Sequence, residues 1–275
     1  MTSITQNLIE KQIYLLGFKQ IKFIIQRQRL KFSIPEISRY IDAVFVHQKQ
    51  HQSFKSIYKQ SKLAITYQAF MKNLAVLSPL VKFLFTRLNK LWNITVSSLF
   101  NVVDTSLIQS KYAESIQQSD FNRNKVTIRT KNKIKVYICG IKLLVFLNRH
   151  KKIYYAEILS INYSDQNILT SSALYQSKIK GFLLADKGFN CKAVEKRINS
   201  IDGAKIICPK HYKSKNQLNE KERELYKHRW TIETAFKQLK NTYGDFKLDI
   251  KGAKSKKLIE AKLFSSLILF NSSTI

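Results

Sequence analysis

The chain has 275 residues, 44% of them hydrophobic, which is enough for one or two apolar cores. Its 48 Lys and Arg face 18 Asp and Glu, and the formal charge of +30 predicts a polyanionic partner, nucleic acid ahead of an anionic membrane surface. No run of about 18 apolar residues occurs and the opening MTSITQNLIEKQ lacks a signal-peptide core, so a soluble cytoplasmic protein is expected. Cys139, Cys191 and Cys208 are too widely spaced for a zinc knuckle and odd in number for a disulfide framework, and are read as small buried residues.

Residues 1–95 read as helical. Asn7 to Leu30 mixes apolar and basic positions without a clean period. Ser33-Ile34-Pro35-Glu36 has the form of a capping box with Pro in the first turn, and Phe32 with Ile37 can close a hydrophobic staple over it. Ile37, Tyr40, Ile41, Val44 and Phe45 follow at the spacing of a buried helical face. His47 and His51 are four apart, but with no acidic or cysteine partner near them HQKQHQS is read as a solvated turn. One further helix is expected from Thr66 to Leu77 and another is opened by Ser78-Pro79.

The pattern changes near Ile94. ITVSSLFNVVDTS shows no helical stripe and reads as a strand buried on both faces, with Asp104 at its carboxyl end. The polar stretch from Gln109 to Lys133 reads as a loop, and the two β-rich runs around Asn148-Arg149-His150 as a hairpin. After a short helical piece, IKGFLLADKGFN repeats the design of an apolar strand ending in an aspartate, Asp186, with Gly188 supplying the turn. CKAVEKRINS then starts a helix and AKIICPK is a last strand. This order is an α/β (α+β) layer fold around a central mixed sheet.

Glu222 to Tyr243 has no Gly or Pro and reads as one helix of about six turns. Tyr226, Arg229, Glu233, Lys237 and Lys240 fall within a band of roughly 80° on it, beside a second band of Leu225, Ile232, Phe236, Leu239 and Tyr243. A lone carboxylate among cations is either a salt-bridged solvated face or a ligand beside an anion site. If the strands of Asp104 and Asp186 are neighbours, their carboxylates and Glu233 make an all-oxygen cluster suited to Mg²⁺ or Mn²⁺. Two such ions serve phosphodiester displacement.

Tyr226, Arg229, Glu233 and Lys240 fit the spacing Y-(2)-R-(3)-E-(6)-K, and with NVVDTS, LLADKGFN and the N-x-x-D of Asn162 to Asp165 the chain resembles the DDE transposases of bacterial insertion sequences. SIPEISRYIDAVF and FKSIYKQ resemble the amino-terminal region of one branch, so the likeness covers nearly the whole chain. Leu144 stands where many relatives carry His, and Thr-Ser follows the first aspartate. The resemblance implies an RNase H-like mixed sheet flanked by helices over residues 96–275, preceded by an all-helical domain over 1–95 that is a candidate for DNA binding. It also implies Asp104, Asp186 and Glu233 as catalytic residues holding two Mg²⁺ or Mn²⁺ ions, with Tyr226, Arg229, Lys237 and Lys240 on double-stranded DNA. Cleavage at element ends, strand transfer into target DNA, a homodimeric active complex and a bacterial, nucleoid-associated location complete that expectation. The alternatives are an RNase H-like nuclease without strand transfer and a non-catalytic basic DNA-binding protein.

Overall fold

The structure is a computed structural model, and it describes residues 32–61, 63–109, 125–129, 135–170, 178–209, 218–242 and 256–273. The sequence reading of Asn7 to Leu30 lies outside them, as does Tyr243. Two compact units result: the helices up to Leu91 with the last helix of the chain, and the strands with their helices within residues 93–238.

The helical unit holds α1 (Ile34–Gln50), α2 (Phe54–Ser61), α3 (Tyr67–Leu77), α4 (Pro79–Leu91) and the final helix, Lys256–Ser273. Helix α1 starts as its sequence dictates: Ser33 N–H donates to Glu36 Oε2 at 2.7 Å and Glu36 N–H to Ser33 Oγ at 3.4 Å. Phe32 lies edge-on to Tyr40, with centroids 5.7 Å apart, and Ile37, Ile41 and Val44 are buried as the spacing required. The helix ends at His51, whose φ of 54° is left-handed. His47 departs from the solvated turn expected of it. Its ring stacks on Phe54 at 4.1 Å and Nδ1 lies 2.5 Å from Gln52 O, because the short link to α2 folds Phe54 back onto it.

Lys256–Ser273, which the expected boundary at residue 95 places with the sheet, groups with this helical unit and contacts α1, α3 and α4. Its residues are apolar or small almost all round, and Leu258, Leu263, Phe264, Leu267, Ile268 and Phe270 are buried, the state expected of a helix with no polar face. Among the described residues no single helix is long and apolar enough to cross a membrane; α3 and α4 pass that test only as a pair bent by 42°.

The sheet unit is built on β1 (Phe100–Gln109), β2 (Lys125–Arg129), β3 (Lys135–Asn148), β4 (Ile153–Ser160), β5 (Gly181–Ala185) and β6 (Ala204–Ile207). Among the described residues the order is β2-β3-β1-β5-β6, with β4 on the free side of β3. β3 pairs antiparallel with β1, β2 and β4, while β1, β5 and β6 run parallel. This mixed sheet with its helices is RNase H-like, as expected. Helices α5 (Asp165–Thr170) and α6 (Lys192–Asn199) cover one face, where Ile168, Leu169, Val194 and Ile198 meet Val103, Leu144, Phe146 and Leu183. Leu144 is therefore core.

Several local expectations need correction. β1 does not stop at Asp104 but continues to Gln109, because β3 is long enough to pair with it throughout. The polar stretch read as a loop contains β2. Cys208 is buried, whereas Cys191 is half-buried and caps α6 by accepting from Val194 N–H. Gly181, at φ 63°, starts β5 where a Cβ would stand 2.2 Å from Ser98 O, a position no other residue can take.

Candidate active site

Side chains alternate along a strand, and this period of two separates the polar residues of β1 onto opposite faces. Val103 faces the apolar core under α5 and α6, so Asp104 faces away from it. The parallel ladder pairs Phe100 with Phe182, Val102 with Leu184 and Val103 with Ala185. The next position on each strand is Asp104 and Asp186. The two aspartates are register neighbours on one face, where β5 ends and its ladder with β1 stops.

The third carboxylate comes from the segment after β6. The expected single helix is two: α7 (Glu220–Tyr226) and α8 (Trp230–Thr242), joined by a tighter 3₁₀ turn over Lys227–Arg229. Asn219 and Glu222 cap α7 reciprocally, at 2.9 and 3.1 Å. Three residues per turn in the joint set Tyr226 and Arg229 above one another, and Glu233 follows one α-turn later. Ile232, Phe236 and Leu239 are buried along α8, as read from the sequence, while Leu225 is only half-buried.

All three carboxylates meet at Arg229. Nη2 lies 3.1 Å from Asp104 Oδ2 and 3.6 Å from Asp186 Oδ1, and Nη1 lies 2.5 Å from Glu233 Oε1. The floor is closed and the top open: the side chains of Arg229 and Asp104 are 16% and 17% exposed, those of Asp186 and Glu233 49% and 59%. Burial pushes the Asp104 carboxyl up to about 6, against the opposing pull of the Thr105 N–H and Arg229, with Asp186 and Asp165 adding repulsion. Burial would lower the Arg229 guanidinium, but Asp104 and Asp186 hold it above its ordinary value. Burial pushes Tyr226 up to about 12, so it stands as a neutral phenol. Arg229 Nε is buried with no partner among the described residues, a donor the carboxylates leave unused.

A fourth carboxylate supports the floor from the other face. Asp165 Oδ1 accepts from Thr105 Oγ1 at 3.0 Å and from Lys142 Nζ at 3.0 Å, and Thr105 N–H donates to Asp104 Oδ1 at 2.7 Å. A Cβ on Gly188 would stand 2.9 Å from Asp165 Oδ2, so this glycine is required for a close approach rather than for a turn. Asp165 thus touches the segments carrying both aspartates. The sequence marked it only through its N-x-x-D pattern, and strand alternation at Thr105 was the signal for its place.

Lys237 is exposed on α8 and Lys240 half-buried near its end; neither forms an ion pair among the described residues with the three carboxylates. Nor do three His, Cys, Asp or Glu side chains stand close enough among the described residues to share a metal ion, since the carboxylates gather on the guanidinium instead. The donor set still fits a hard divalent cation. It offers only oxygen, and the one nearby sulfur, Cys208, donates to Asp186 O at 2.8 Å with its thiol pushed up to about 12 by burial. Among the described residues Asp104, Asp165, Asp186 and Glu233 meet the two cations Arg229 and Lys142, an acidic surplus in a chain of +30.

Searches of curated proteins and of solved structures gave no match. A family model described as a transposase DDE domain matches residues 101–244, a span that starts within β1 and contains Asp104, Asp186, Arg229 and Glu233. Those are the residues that the sheet register and the 3₁₀ joint bring to one place, and the chain belongs to the transposase DDE domain family.

Proposed function

We propose that the chain is a DNA transposase that cleaves at the ends of an insertion sequence and joins the freed 3′-hydroxyl to target DNA. The observation that carries this is the convergence of Asp104, Asp186 and Glu233 on Arg229 at the carboxyl end of the parallel pair β1 and β5. Asp104, Asp186 and Glu233 would hold Mg²⁺ or Mn²⁺, which supplies Lewis-acid activation of the attacking and leaving oxygens of a phosphodiester. Arg229 is assigned to a phosphate oxygen, and the neutral Tyr226 is a hydrogen-bond partner or a ring for a base. In the first step water replaces the bridging 3′-oxygen at phosphorus, and the 3′-hydroxyl leaves with a proton. In the second that hydroxyl attacks a target phosphodiester and the target's own 3′-oxygen leaves. Lys237 and Lys240 are assigned to backbone phosphates, the helical unit to the ends, and the active complex to a homodimer of nucleoid-associated chains.

The test is incubation with supercoiled DNA carrying candidate ends, with and without Mg²⁺. Asp104→Asn and Glu233→Gln should each lower cleavage by roughly a thousandfold or more while DNA binding holds. Cleavage persisting in both variants rejects the site. Cleavage without joined product favours a nuclease of this fold, and binding with neither favours a DNA-binding protein alone.

A further inference from the structure

The oxygens that suit a divalent cation are the ones a guanidinium already bonds. Arg229 Nη2 reaches Asp104 Oδ2 at 3.1 Å and Asp186 Oδ1 at 3.6 Å, and Nη1 reaches Glu233 Oε1 at 2.5 Å, so one fork spans all three carboxylates. Asp104 has the least to spare. Its other oxygen, Oδ1, accepts from Thr105 N–H at 2.7 Å, a donor fixed by the strand backbone. A cation on Asp104 Oδ2 and a guanidinium on the same oxygen repel each other at short range, on the side of the site where both residues are largely covered. Two features let the guanidinium yield. Its Nε is buried without a partner among the described residues, so the three-way grip leaves one donor unsatisfied. Its backbone belongs to the 3₁₀ turn Lys227–Arg229 between α7 and α8, the kind of joint within a helical run that serves as a hinge. Asp186 and Glu233, both exposed, leave the opposite side open to an entering ion.

We infer that Arg229 is a displaceable lock on the site: Asp104, Asp186 and Glu233 exchange its guanidinium for a divalent cation, and the released guanidinium is the group that meets the DNA phosphate. This rests on the catalytic reading above and names the regulation of its site. Cation and DNA are then positively coupled. A phosphate that draws Arg229 away uncovers the carboxylate oxygens, and carboxylates that take up a cation free Arg229 for the phosphate. Without DNA the chain holds its cation weakly, so the site is armed only when both are present.

The probe is Mn²⁺ alone, added to the full chain at neutral pH and followed by the EPR signal of the unbound ion. The titration is repeated with a blunt duplex of about 20 base pairs, whose own Mn²⁺ uptake is measured separately and subtracted. Without DNA, Arg229→Gln should bind Mn²⁺ roughly tenfold more tightly than the parent, and it should lose the gain of about fivefold that the duplex gives the parent. Lys142→Gln removes an equal charge, one held by Asp165 and not by the three carboxylates, and should change Mn²⁺ affinity less than about threefold. Arg229→Lys keeps the charge but gives up the fork, so its affinity should fall between those of the parent and Arg229→Gln, and it decides the matter if Arg229→Gln does not fold. Unchanged or weaker Mn²⁺ binding in the Arg229 variants, an equal gain in Lys142→Gln, or a parent affinity that the duplex does not raise overturns the lock. Metal-dependent cleavage by the parent chain together with any of these results rejects this inference alone; the expected Mn²⁺ pattern without cleavage at any candidate end rejects the catalytic reading alone.

Discussion

Both units bury matched amides, and the sheet unit alone adds a group of carboxylates gathered on one guanidinium among the described residues. In the helical unit buried amides are matched: Gln48 Nε2 donates to Lys262 O at 2.9 Å and to Ser266 Oγ at 3.1 Å, and Asn271 Nδ2 donates to Asn89 Oδ1 at 2.9 Å. These bonds tie the last helix to α1 and α4 in one register, where an otherwise apolar helix could slide. In the sheet unit Asn101 and Asn148 are matched in the same way, but Asp104 is a partly buried carboxylate held against its tendency to neutralise. The matched amides serve the fold, while the buried Asp104 carboxylate works against it, as groups at functional sites often do.

That contrast predicts substitutions of opposite sign. Asp104→Asn removes a carboxylate whose folded pKa is raised to about 6, so its ionisation opposes folding: the contribution is most favourable below pH ~4 and is lost as pH rises through about 6. At pH 7 without divalent cations the variant should gain about 1–3 kcal/mol in urea unfolding. Asn271→Leu, which takes a bonded donor from Asn89 in a closed core, should lose about 1–3 kcal/mol in the same measurement. Two losses of equal size would show that Asp104 is a structural residue.

The sequence carried the site further than it carried the chain's division. Tyr226, Arg229 and Glu233 were readable because helical spacing is local, and Asp186 because an apolar run ending in Asp is local too. What joins them is not. The adjacency of β1 and β5 depends on pairing between residues about eighty apart, and only the ladder shows Asp104 and Asp186 as register neighbours. The 3₁₀ joint at Lys227–Arg229 was hidden because its residues are ordinary helix formers, and nothing in their types favours the tighter turn. The place of Lys256–Ser273 is not legible because an apolar helix fits any core; its partners Gln48 and Asn89 lie far back in the chain.

His47 sharpens the comparison through pH. It belongs to the helical unit, yet burial lowers its pKa to about 4, with Lys262 and His51 adding to the effect against the bond to Gln52 O. The ring stays neutral, with Nδ1–H donating to that carbonyl. A lowered folded pKa gives stability that is complete above about pH 6.5 and is lost as pH falls toward 4. Between pH 7.5 and 5 the helical unit should lose roughly 2 kcal/mol, followed by its melting temperature, and His47→Phe should remove that slope. A slope unchanged in His47→Phe would assign the acid sensitivity elsewhere.

The smallest expected change in stability is at Gly188, where it separates support of the site from support of the fold. Alanine there places a Cβ 2.9 Å from Asp165 Oδ2, and the carboxylate is the softer partner, so Asp165 should give way. Its bonds to Thr105 Oγ1 and Lys142 Nζ then loosen, and the Asp165 charge that helps raise the Asp104 carboxyl shifts with them. Replacing Gly by Ala at an ordinary φ otherwise favours folding by several tenths of a kcal/mol through the unfolded chain, so the two effects nearly cancel. Gly188→Ala should therefore melt within about 1 kcal/mol of the parent while cleavage falls about tenfold at unchanged DNA affinity. Asp165→Ser in the same chain frees the space without restoring the bonds, so the rate should stay low; recovery of the rate would mean that crowding alone, and not the Asp165 link to Asp104, had slowed the reaction.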